Sequence, residues 1–485
     1  MKKHINFMSI DFNTINLSSS ANTNTASKSQ IFTGWLGRDN RLDSYSFNLS
    51  GHSSLNFSLD GLSVDADLQL LDSNGSVIAG SHNYRDTAES IDKTLDAGNY
   101  SIQVYRVSGG RTNYNLKVSQ SQVAQSSQVG KDWFDLNIQD SSLRAESRKR
   151  FADGVLDRND MIAILREAKD SDSVDATEFT DLRTLVSHAS ELQMPEYVRV
   201  LSNKVVNGDT ANQKYQGNTL GNLYAGSSDI QMENLINKWF LGSDRPQTSY
   251  TYQYANGSLF QNGISYQDVK QGKINDCFML VGLAETAVRS SSTIESMFID
   301  NGDNTFSVRF WHNGSADYVT VDRYLPTNSS GYLVYANRGV DYNNSSNELW
   351  VAFAEKAYVQ LNESGWIYQD NTNTYNGLAK GGYISDALAQ ITGKKTSLGN
   401  GLNFSSIVDA FNSGQLIGLG TKLTGVASNI VSGHAYALIN YNSSTQKFTL
   451  FNPWGVNTNS SKPGVMELSW SEIESSFSYW DSTLN

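Results

Sequence analysis

The chain contains one cysteine and five prolines among 485 residues, and its net charge is −12. A single cysteine excludes a disulfide framework within the chain. The shortage of basic residues argues against nucleic acid as a partner, because phosphates require a basic surface. Long apolar runs are missing too, since no stretch approaches the roughly 18 residues that a membrane-spanning helix needs. We therefore expect no membrane span. Because 485 residues exceed what one hydrophobic core supports, we expect several domains.

The amino terminus also lacks the apolar run of a secretory signal peptide. Its sequence, MKKHINFMSIDFNTINLSSS, has two adjacent lysines but only scattered apolar residues after them. We therefore expect no Sec-type leader. A cytoplasmic location and export by a leaderless route are both compatible with this prediction.

What is present begins with short runs of alternating apolar and polar residues, separated by turn sequences such as DSNG. A period of two over several such runs is typical of strands with one buried face. The pattern predicts an antiparallel β-sandwich over residues 28–122, without catalytic residues. The alternating apolar positions are Tyr45, Phe47, Leu49, Leu55, Phe57, Leu59, Leu68, Leu70, Tyr100, Ile102, Val104, Tyr114, Leu116 and Val118.

Residues 126–248 change to a helical period, which predicts a helical linker region or a partner-facing module. Two segments in it, DGVLDRND and DSVDATEF, look like the second halves of calcium-binding loops, but the first halves lack acidic residues. We therefore interpret Asp157 and Asp175 as helix caps rather than calcium ligands. One face of the best-patterned helix carries Met161, Ile162, Leu165 and Ala168.

The single cysteine, Cys277, lies in the segment QGKINDCFML, where a turn leads into an apolar stretch. A helix amino terminus lowers the pKa of a thiol, and Asn275 or Asp276 could cap a helix that begins at Cys277. Asp276 itself is interpreted as a first-turn acid. A lone cysteine is most often a small buried apolar residue, so the catalytic interpretation needs further residues.

A nucleophilic thiol needs a histidine within reach, and His434 is the strongest candidate among six histidines. It opens the predicted strand GHAYALINY, and the segment KFTLFNPWG returns as the second strand of a hairpin. The hairpin delivers Asn452 beside His434, where an amide can orient the imidazole. Trp454 can cover that bond. The alternatives are a structural strand histidine and a turn-forming Asn-Pro pair.

An acyl-transfer site also needs donors for the oxyanion. Gln271 precedes Cys277 on a glycine-containing loop. Its side-chain amide and the backbone N–H of Cys277 could together stabilise the developing charge. A Gln-Gly pair alone is a weak signal.

The segments QGKINDCF, GHAYALINY and FNPWG, in this order, resemble the calpain family of papain-like cysteine proteases. Further segments, among them VTVDRYLPT and NELWVAFAEKAYVQLN, extend the resemblance over residues 250–485. The resemblance implies an α+β core with a helical lobe at about 250–397, a sheet-rich lobe at about 398–485 and a cleft between them. It implies these roles: nucleophile for Cys277, general base and acid for His434, orienting amide for Asn452, oxyanion donor for Gln271 and shielding indole for Trp454.

Two positions depart from the family pattern. Asn275 replaces the glycine usual before the Asp-Cys pair, and Phe278 replaces the usual tryptophan after it. Phenylalanine keeps the aromatic bulk, so we expect a reshaped cleft wall and retained activity.

The first zone resembles a second family. DSYSFNLSGHSSLNFSLDGLSVDADLQLLDSNG and LDAGNYSIQVY, within about residues 31–119, are similar to the bacterial pre-peptidase C-terminal domain. Such modules usually accompany secreted proteases. Here the module lies on the amino-terminal side, which differs from the position in its name.

The calpain resemblance also implies calcium. Asp268, Glu348 and the carbonyl of Gly263 match one calcium site in the helical lobe. The alternatives are a helix-capping pair of Ser345 with Glu348 and an ordinary loop acid at Asp268. Acids expected after NPWG for a second site are missing from VNTNSSKPG. We expect one calcium site, or calcium independence.

The expected function is that of a calpain-like cysteine endopeptidase, which hydrolyses protein substrates through a thioester and is self-processing. The alternative is a catalytically idle papain-like scaffold that acts as a binding or adhesion protein. Its usual mark is loss of the cysteine, histidine or asparagine, and all three are present. A transferase with the same residues is a third option.

Overall fold

The computed structural model describes residues 13–15, 28–49, 53–73, 75–95, 98–122, 131–169, 172–399, 401–457 and 461–484. The chain divides into two compact units, Met1–Asp132 and Trp133–Asn485. The segment 1–20, in which no leader was predicted, lies outside the described residues except for 13–15. Within the described ranges, no helix combines the length and the apolar character needed to pass through a bilayer.

The first unit is a sandwich of two sheets. As described, one sheet has the order β1-β3-β8-β5-β6 and the other has the order β2-β9-β4-β7. Neighbouring strands are antiparallel, apart from the parallel pair of β1 and β3. The strands are β1 (Asn13–Ile15), β2 (Lys28–Leu36), β3 (Leu42–Leu49), β4 (Ser53–Asp60), β5 (Ala66–Leu71), β6 (Val77–Ser81), β7 (Glu89–Leu95), β8 (Gly98–Arg106) and β9 (Thr112–Gln122).

The five strands predicted from alternation correspond to β3, β4, β5, β8 and β9, so the predicted all-β sandwich is confirmed. Their alternating apolar side chains are buried between the sheets, and Tyr100 alone among them is only partly buried. Alternation did not predict β6 and β7. Strand β6 has no fully buried residue, and β7 buries only Glu89, Ile91 and Leu95, which leaves little apolar signal.

The second unit begins with a group of helices whose start signals were readable in the sequence. Asp157 accepts a hydrogen bond from the N–H of Asp160 and Asp175 accepts one from that of Glu178, each within a capping box, so the interpretation of both as helix caps is confirmed. The predicted apolar stripe at Met161, Ile162, Leu165 and Ala168 is buried. The helices are α1 (Trp133–Asn137), α2 (Ser141–Arg150), α3 (Arg158–Glu167), α4 (Ala176–Ser187), α5 (Glu196–Val206) and α6 (Asp229–Trp239).

These helices share one hydrophobic core with the part of the chain that follows them. The core runs without interruption from Phe134 to Phe451. Lys238, a fully buried residue of α6, forms ion pairs with Asp244 and with Glu363, the latter at 2.5 Å. The region predicted as a linker therefore belongs to the second compact unit, and the predicted limits 126–248 and 250–485 stay predictions.

The middle of the second unit surrounds one buried helix, α7. It packs against α10 (Ile384–Thr392) and against β19 (Ala435–Asn442), a strand of the last sheet. The elements here are β10 (Lys214–Tyr215), β11 (Asn218–Thr219), β12 (Thr251–Tyr254), α7 (Cys277–Arg289), α8 (Ser291–Glu295), β13 (Phe298–Asp300), β14 (Thr305–His312), β15 (Ser315–Asp322), β16 (Tyr324–Thr327), α9 (Trp350–Leu361) and α10 (Ile384–Thr392).

The carboxyl-terminal part is an antiparallel sheet of six described strands, in the order β17-β22-β18-β19-β20-β21. It has an apolar core of its own, to which Leu419, Tyr436 and Phe448 contribute. The elements are β17 (Thr396–Ser397), α11 (Phe404–Asn412), β18 (Ile417–Thr421), β19 (Ala435–Asn442), β20 (Lys447–Phe451), β21 (Val465–Leu468), α12 (Trp470–Ser476) and β22 (Phe477–Thr483).

Candidate active site

Cys277 is the first residue of α7, as the sequence predicted. The helix is buried along nearly its whole length, whereas the cysteine itself is partly exposed. Asp276 occupies the N-cap position, but its carboxyl group turns toward Gln271 and Glu355 instead of capping the helix. The thiol is thus held at the start of a helix whose following ten residues are all buried.

The thiol of Cys277 lies against the start of β19. Burial raises the pKa of the Cys277 thiol to about 11, and the charge of Asp276 also raises it. Hydrogen bonds from the backbone of Ala435 and of Phe278 favour the charged form and oppose this rise. Ala435 directly follows His434, so the contact places the sulfur beside the residue that carries the candidate base.

His434 and Asn452 meet across the hairpin of β19 and β20. The pairing of Ala437 with Phe451 sets the register, and His434 Nε2 lies 2.9 Å from Asn452 Oδ1. Burial lowers the pKa of His434 to about 4, and the Asn452 hydrogen bond opposes that shift. The structure therefore brings the predicted imidazole and amide together, with Nε2 engaged and Nδ1 as the other ring nitrogen.

Trp454 lies beside this pair. Its backbone N–H donates to Asn452 Oδ1 over 3.1 Å, and its ring centroid is 5.5 Å from that of His434. The indole remains 39% exposed, so it forms an outer cover over the fully buried Asn452.

Gln271 lies close to the other candidates, but its amide is occupied. Nε2 donates to the carbonyl of Ile274 over 2.8 Å and to Asp276 Oδ1 over 3.2 Å. The backbone N–H of Gln271 donates to the carbonyl of Pro453 over 2.7 Å. A role as oxyanion donor therefore requires the amide to exchange one of these acceptors for a substrate oxygen.

Sequence reasoning missed one polar contact at this site, the buried carboxyl group of Glu355 against Asp276. Glu355 was part of the predicted amphipathic helix that became α9, but its side chain had no assigned role. All residues of α9 are buried, so an acid within this apolar sequence must face protein groups. That mismatch of a carboxyl group in a core helix is the signal that could have identified it.

The two acids proposed from sequence as calcium ligands lie near enough for the charge of Asp268 to act on Glu348. Burial raises the pKa of Glu348 to about 7, and the charge of Asp268 adds to the rise. Burial also raises the pKa of Asp268, opposed by hydrogen bonds from the Ser265 N–H and from Trp350 Nε1, the latter at 3.1 Å. Two carboxyl groups that repel each other in a partly buried place suit a divalent cation.

Other oxygens lie near this acid pair. The N–H of Gln261 donates to Glu348 Oε1 over 2.9 Å, and the buried Gln261 Oε1 has no partner among the described residues. Gly263 follows two residues later in a left-handed conformation, at φ 90°. In the described ranges no three His, Cys, Asp or Glu side chains cluster for a metal, so a cation here would rely on two acids and neutral oxygens.

The alternative capping role of Ser345 and Glu348 is wrong, because α9 begins at Trp350 with Leu349 at its N-cap. The segment VNTNSSKPG, in which a second calcium site was judged missing, lies partly outside the described residues, at 458–460.

Comparison with known families assigns both units. The model of the calpain family of cysteine proteases matches residues 229–478, slightly more than half of the chain. The chain belongs to this family. The match begins at the first residue of α6, earlier than the predicted limit at residue 250. The bacterial pre-peptidase C-terminal domain matches residues 41–106, within the sandwich, which confirms the second resemblance.

Several curated relatives are similar to the protease part. The calpain-type cysteine protease DEK1 of Zea mays is 30% identical over 200 residues, 37% of this chain and 8% of the relative. Calpain clp-1 of Caenorhabditis elegans is 29% identical over 219 residues, 41% and 26% of the two chains. The catalytic subunit of mouse calpain-1 is 28% identical over 224 residues, 41% and 29%. The chain thus spans less than a third of each of these relatives.

Among solved structures, the pre-peptidase C-terminal domain of a collagenase from Bacillus anthracis matches 23% of this chain and 99% of its own length. The sequence identity is 19% and the TM-score is 0.19, so this likeness carries no argument about function.

Proposed function

We propose that the chain is a cysteine endopeptidase that cleaves protein substrates through a thioester intermediate. The observation that carries the proposal is the contact of the Cys277 thiol with the start of β19, where His434 is bonded to Asn452. A nucleophile, a base and a group that orients the base are the parts that this chemistry needs. Family membership supports the same reaction class.

The electrostatics of the site define the first step. Burial favours the neutral thiol and the neutral imidazole, so both groups rest uncharged near pH 7. The sulfur then attacks the scissile carbonyl carbon while its proton passes to Nδ1 of His434. The resulting imidazolium stays aligned because Nε2–H donates to Asn452 Oδ1.

The remaining steps return every group to its starting state. The oxyanion accepts hydrogen bonds from the backbone N–H of Cys277 and from the side chain of Gln271. His434 gives its proton to the leaving amine, the C–N bond breaks and the thioester remains. Water then attacks the thioester with His434 as the base, which releases the carboxylic acid and restores the thiol.

The proposed catalytic domain has two lobes. The helical lobe, at about 250–397, supplies Cys277 and Gln271, and the sheet-rich lobe, at about 398–485, supplies His434 and Asn452. Substrate would occupy the cleft between them, which the family resemblance implies. The sheet that carries the β19–β20 hairpin has an apolar core of its own on one face, which supports this division, and the other face of the hairpin packs into the core of α7.

We further propose that Asp268, Glu348 and the carbonyl of Gly263 hold one calcium ion. The ion would neutralise the two carboxylates and fix the loop that leads from Asp268 to Gln271 and Cys277. The support is the charge of Asp268 acting on the partly buried Glu348, whose pKa is raised mainly by burial. The amino-terminal sandwich is proposed to bind substrate or to be removed by self-cleavage.

Incubation of the purified chain with an unfolded protein tests the proposal on one gel. Fragments of the substrate should appear with the wild type and disappear with Cys277→Ala or after alkylation of the thiol. The same gel should show a shortened form of the chain itself in the wild type and full length in Cys277→Ala. Equal patterns for wild type and Cys277→Ala would favour the idle scaffold.

A further inference from the structure

Two buried carboxyl groups meet directly behind the nucleophile. Asp276, the residue before Cys277, has no exposed surface, and Glu355 in the middle of α9 is 1% exposed. The two carboxyl groups lie close enough for each to shift the pKa of the other. Neither group takes part in the chemistry proposed above, so their presence in the core needs its own explanation.

The surroundings of the pair supply few hydrogen-bond donors. The N–H of Ala336 donates to both oxygens of Glu355, at 2.9 and 3.1 Å, and Gln271 Nε2 donates to Asp276 Oδ1. Asp276 Oδ2 receives no hydrogen from other groups in the described part of the chain. Two ionised carboxylates in this position would repel each other without compensation, so one proton must lie between them.

Other titratable groups near the pair leave its charge uncompensated. The groups that feel the charge of Asp276 or Glu355 are Cys277 and three tyrosines. Burial raises the pKa of each tyrosine above its ordinary value, so all three rest neutral. Within the described ranges, neither acid forms an ion pair with lysine or arginine. The tyrosines are Tyr335, Tyr358 and Tyr375.

We propose that Asp276 and Glu355 share one proton and that the singly protonated pair positions the Gln271 amide and the first turn of α7 for the reaction of Cys277. This inference rests on the proposed function. The contacts form one chain from the Ala336 N–H through Glu355 and Asp276 to Gln271. Both acids are positioning residues, because they act on the reaction through Gln271 and the backbone of Cys277.

The shared proton gives the pair a working range of pH. Burial raises the pKa of Asp276 to about 6 and that of Glu355 well above its ordinary value. Above about pH 6 the pair carries one negative charge, and Asp276 accepts from Gln271. Below that value the second proton binds, the acceptor for Gln271 weakens and activity falls.

The test compares Glu355→Gln with Glu355→Met over the pH range of activity. The glutamine keeps a donor for Asp276 and an acceptor for Ala336, so kcat near neutral pH should change by less than about threefold. The amide is a weaker donor than the carboxylic acid whose hydrogen bond lowers the pKa of Asp276, so the acid limb of kcat should move up by about one pH unit. The methionine keeps the volume but no donor, so kcat should fall about 10- to 100-fold with little change in KM.

Glu285→Gln is the matched control. Glu285 is also a buried acid on α7, but its Oε2 accepts from the Ile417 N–H over 3.1 Å, away from the pair. This variant should leave the acid limb in place. A Glu355→Gln profile that coincides with the wild type, or a Glu355→Met variant as active as Glu355→Gln, overturns the proposal.

A second readout separates this inference from the proposed function. The rate at which iodoacetamide alkylates Cys277 reports the thiol without any turnover. Its pH dependence should show an inflection near the pKa of Asp276 in the wild type, and this inflection should lie at higher pH in Glu355→Gln. If the wild type cleaves no protein but this difference is seen, the proposed function fails and the shared proton stands. If the two alkylation profiles agree, the shared proton is rejected even if Glu355→Met has failed to fold.

Discussion

At the scale of single residues, His434 connects the chemistry to the stability of the fold. Its folded-state pKa of about 4 lies below the roughly 6.5 of an unfolded histidine, because burial disfavours the imidazolium. The neutral ring therefore stabilises the folded state above about pH 6.5, and this contribution is lost as the pH falls toward 4. The full difference corresponds to about 3 kcal/mol.

We expect urea unfolding to show this loss. Between about pH 7 and pH 4, the wild type should lose about 3 kcal/mol more of its free energy of unfolding than His434→Gln does. His312→Gln is the matched control, because that imidazole is only partly buried and stacks on Trp366. An equal pH dependence in wild type and His434→Gln would contradict the prediction.

The residues of the site differ in how far the sequence predicted them. Cys277, His434 and Asn452 could be found, because a helix start and a hairpin place them through local patterns. The contact of Asp276 with Glu355 joins two helices far apart in the chain, and no local period records it. Gln271 was found as a residue, but the donation of its amide to Ile274 and Asp276 was not predicted.

At the scale of elements, the loop before α7 contains Asp268, one of the proposed calcium ligands. Asp268 ends a short 3₁₀ turn, Tyr266–Asp268, which follows Gly263 and precedes Gln271. Trp350, the first residue of α9, donates to Asp268, and Glu348 lies just before that helix. A cation at this point would tie the loop to the start of α9.

We expect calcium to raise peptidase activity and a chelator to lower it. Asp268→Asn should weaken calcium binding about tenfold or more, because a charged ligand is lost while the shape is kept. Calcium binding to the wild type and to this variant can be measured by calorimetry, independently of activity. Asp300→Asn is the control, since that exposed acid lies in β13. Equal binding by wild type and Asp268→Asn would contradict the prediction, and no binding by either would indicate calcium independence.

Strands and helices were predictable from the sequence where one face is buried and where a turn or capping residue marks each end. The alternation of β3, β4 and β9 and the capping acids Asp157 and Asp175 were sufficient for this reason. The start of α9 was not, because Leu349 and Trp350 carry no capping side chain. Tertiary packing of a fully buried helix replaces the local signal there.

At the scale of the whole molecule, the helices α1–α6 belong to the same compact unit as α7. Their apolar faces and the ion pair of Lys238 with Glu363 belong to the core that also holds α7. Helical periodicity revealed these faces but not what covers them. The packing shows that these faces are covered by the part of the chain that contains α7.

Truncation tests this point. A chain that begins at Trp133 should fold and keep the peptidase activity, because it contains the complete second unit. A chain that begins at residue 250 would expose the side of β15 on which α5 and α6 pack and leave the buried Glu363 without Lys238. We expect it to lose cooperative unfolding, since breaking a buried ion pair alone costs about 3–5 kcal/mol. Circular dichroism during thermal unfolding compares the two, and equal midpoints would contradict the prediction.

The hairpin of β19 and β20 carries both the imidazole and the amide that steadies it. A movement that drew this hairpin away from α7 would separate the Cys277 sulfur from the His434 ring, and it would also uncover Ala435, Ala437 and Phe451, which lie in the core of α7. The bond between His434 and Asn452 would survive such a movement, because both residues belong to the hairpin. Trp454 lies three residues after the end of β20 and its indole is 39% exposed, so a change in its fluorescence would report that displacement.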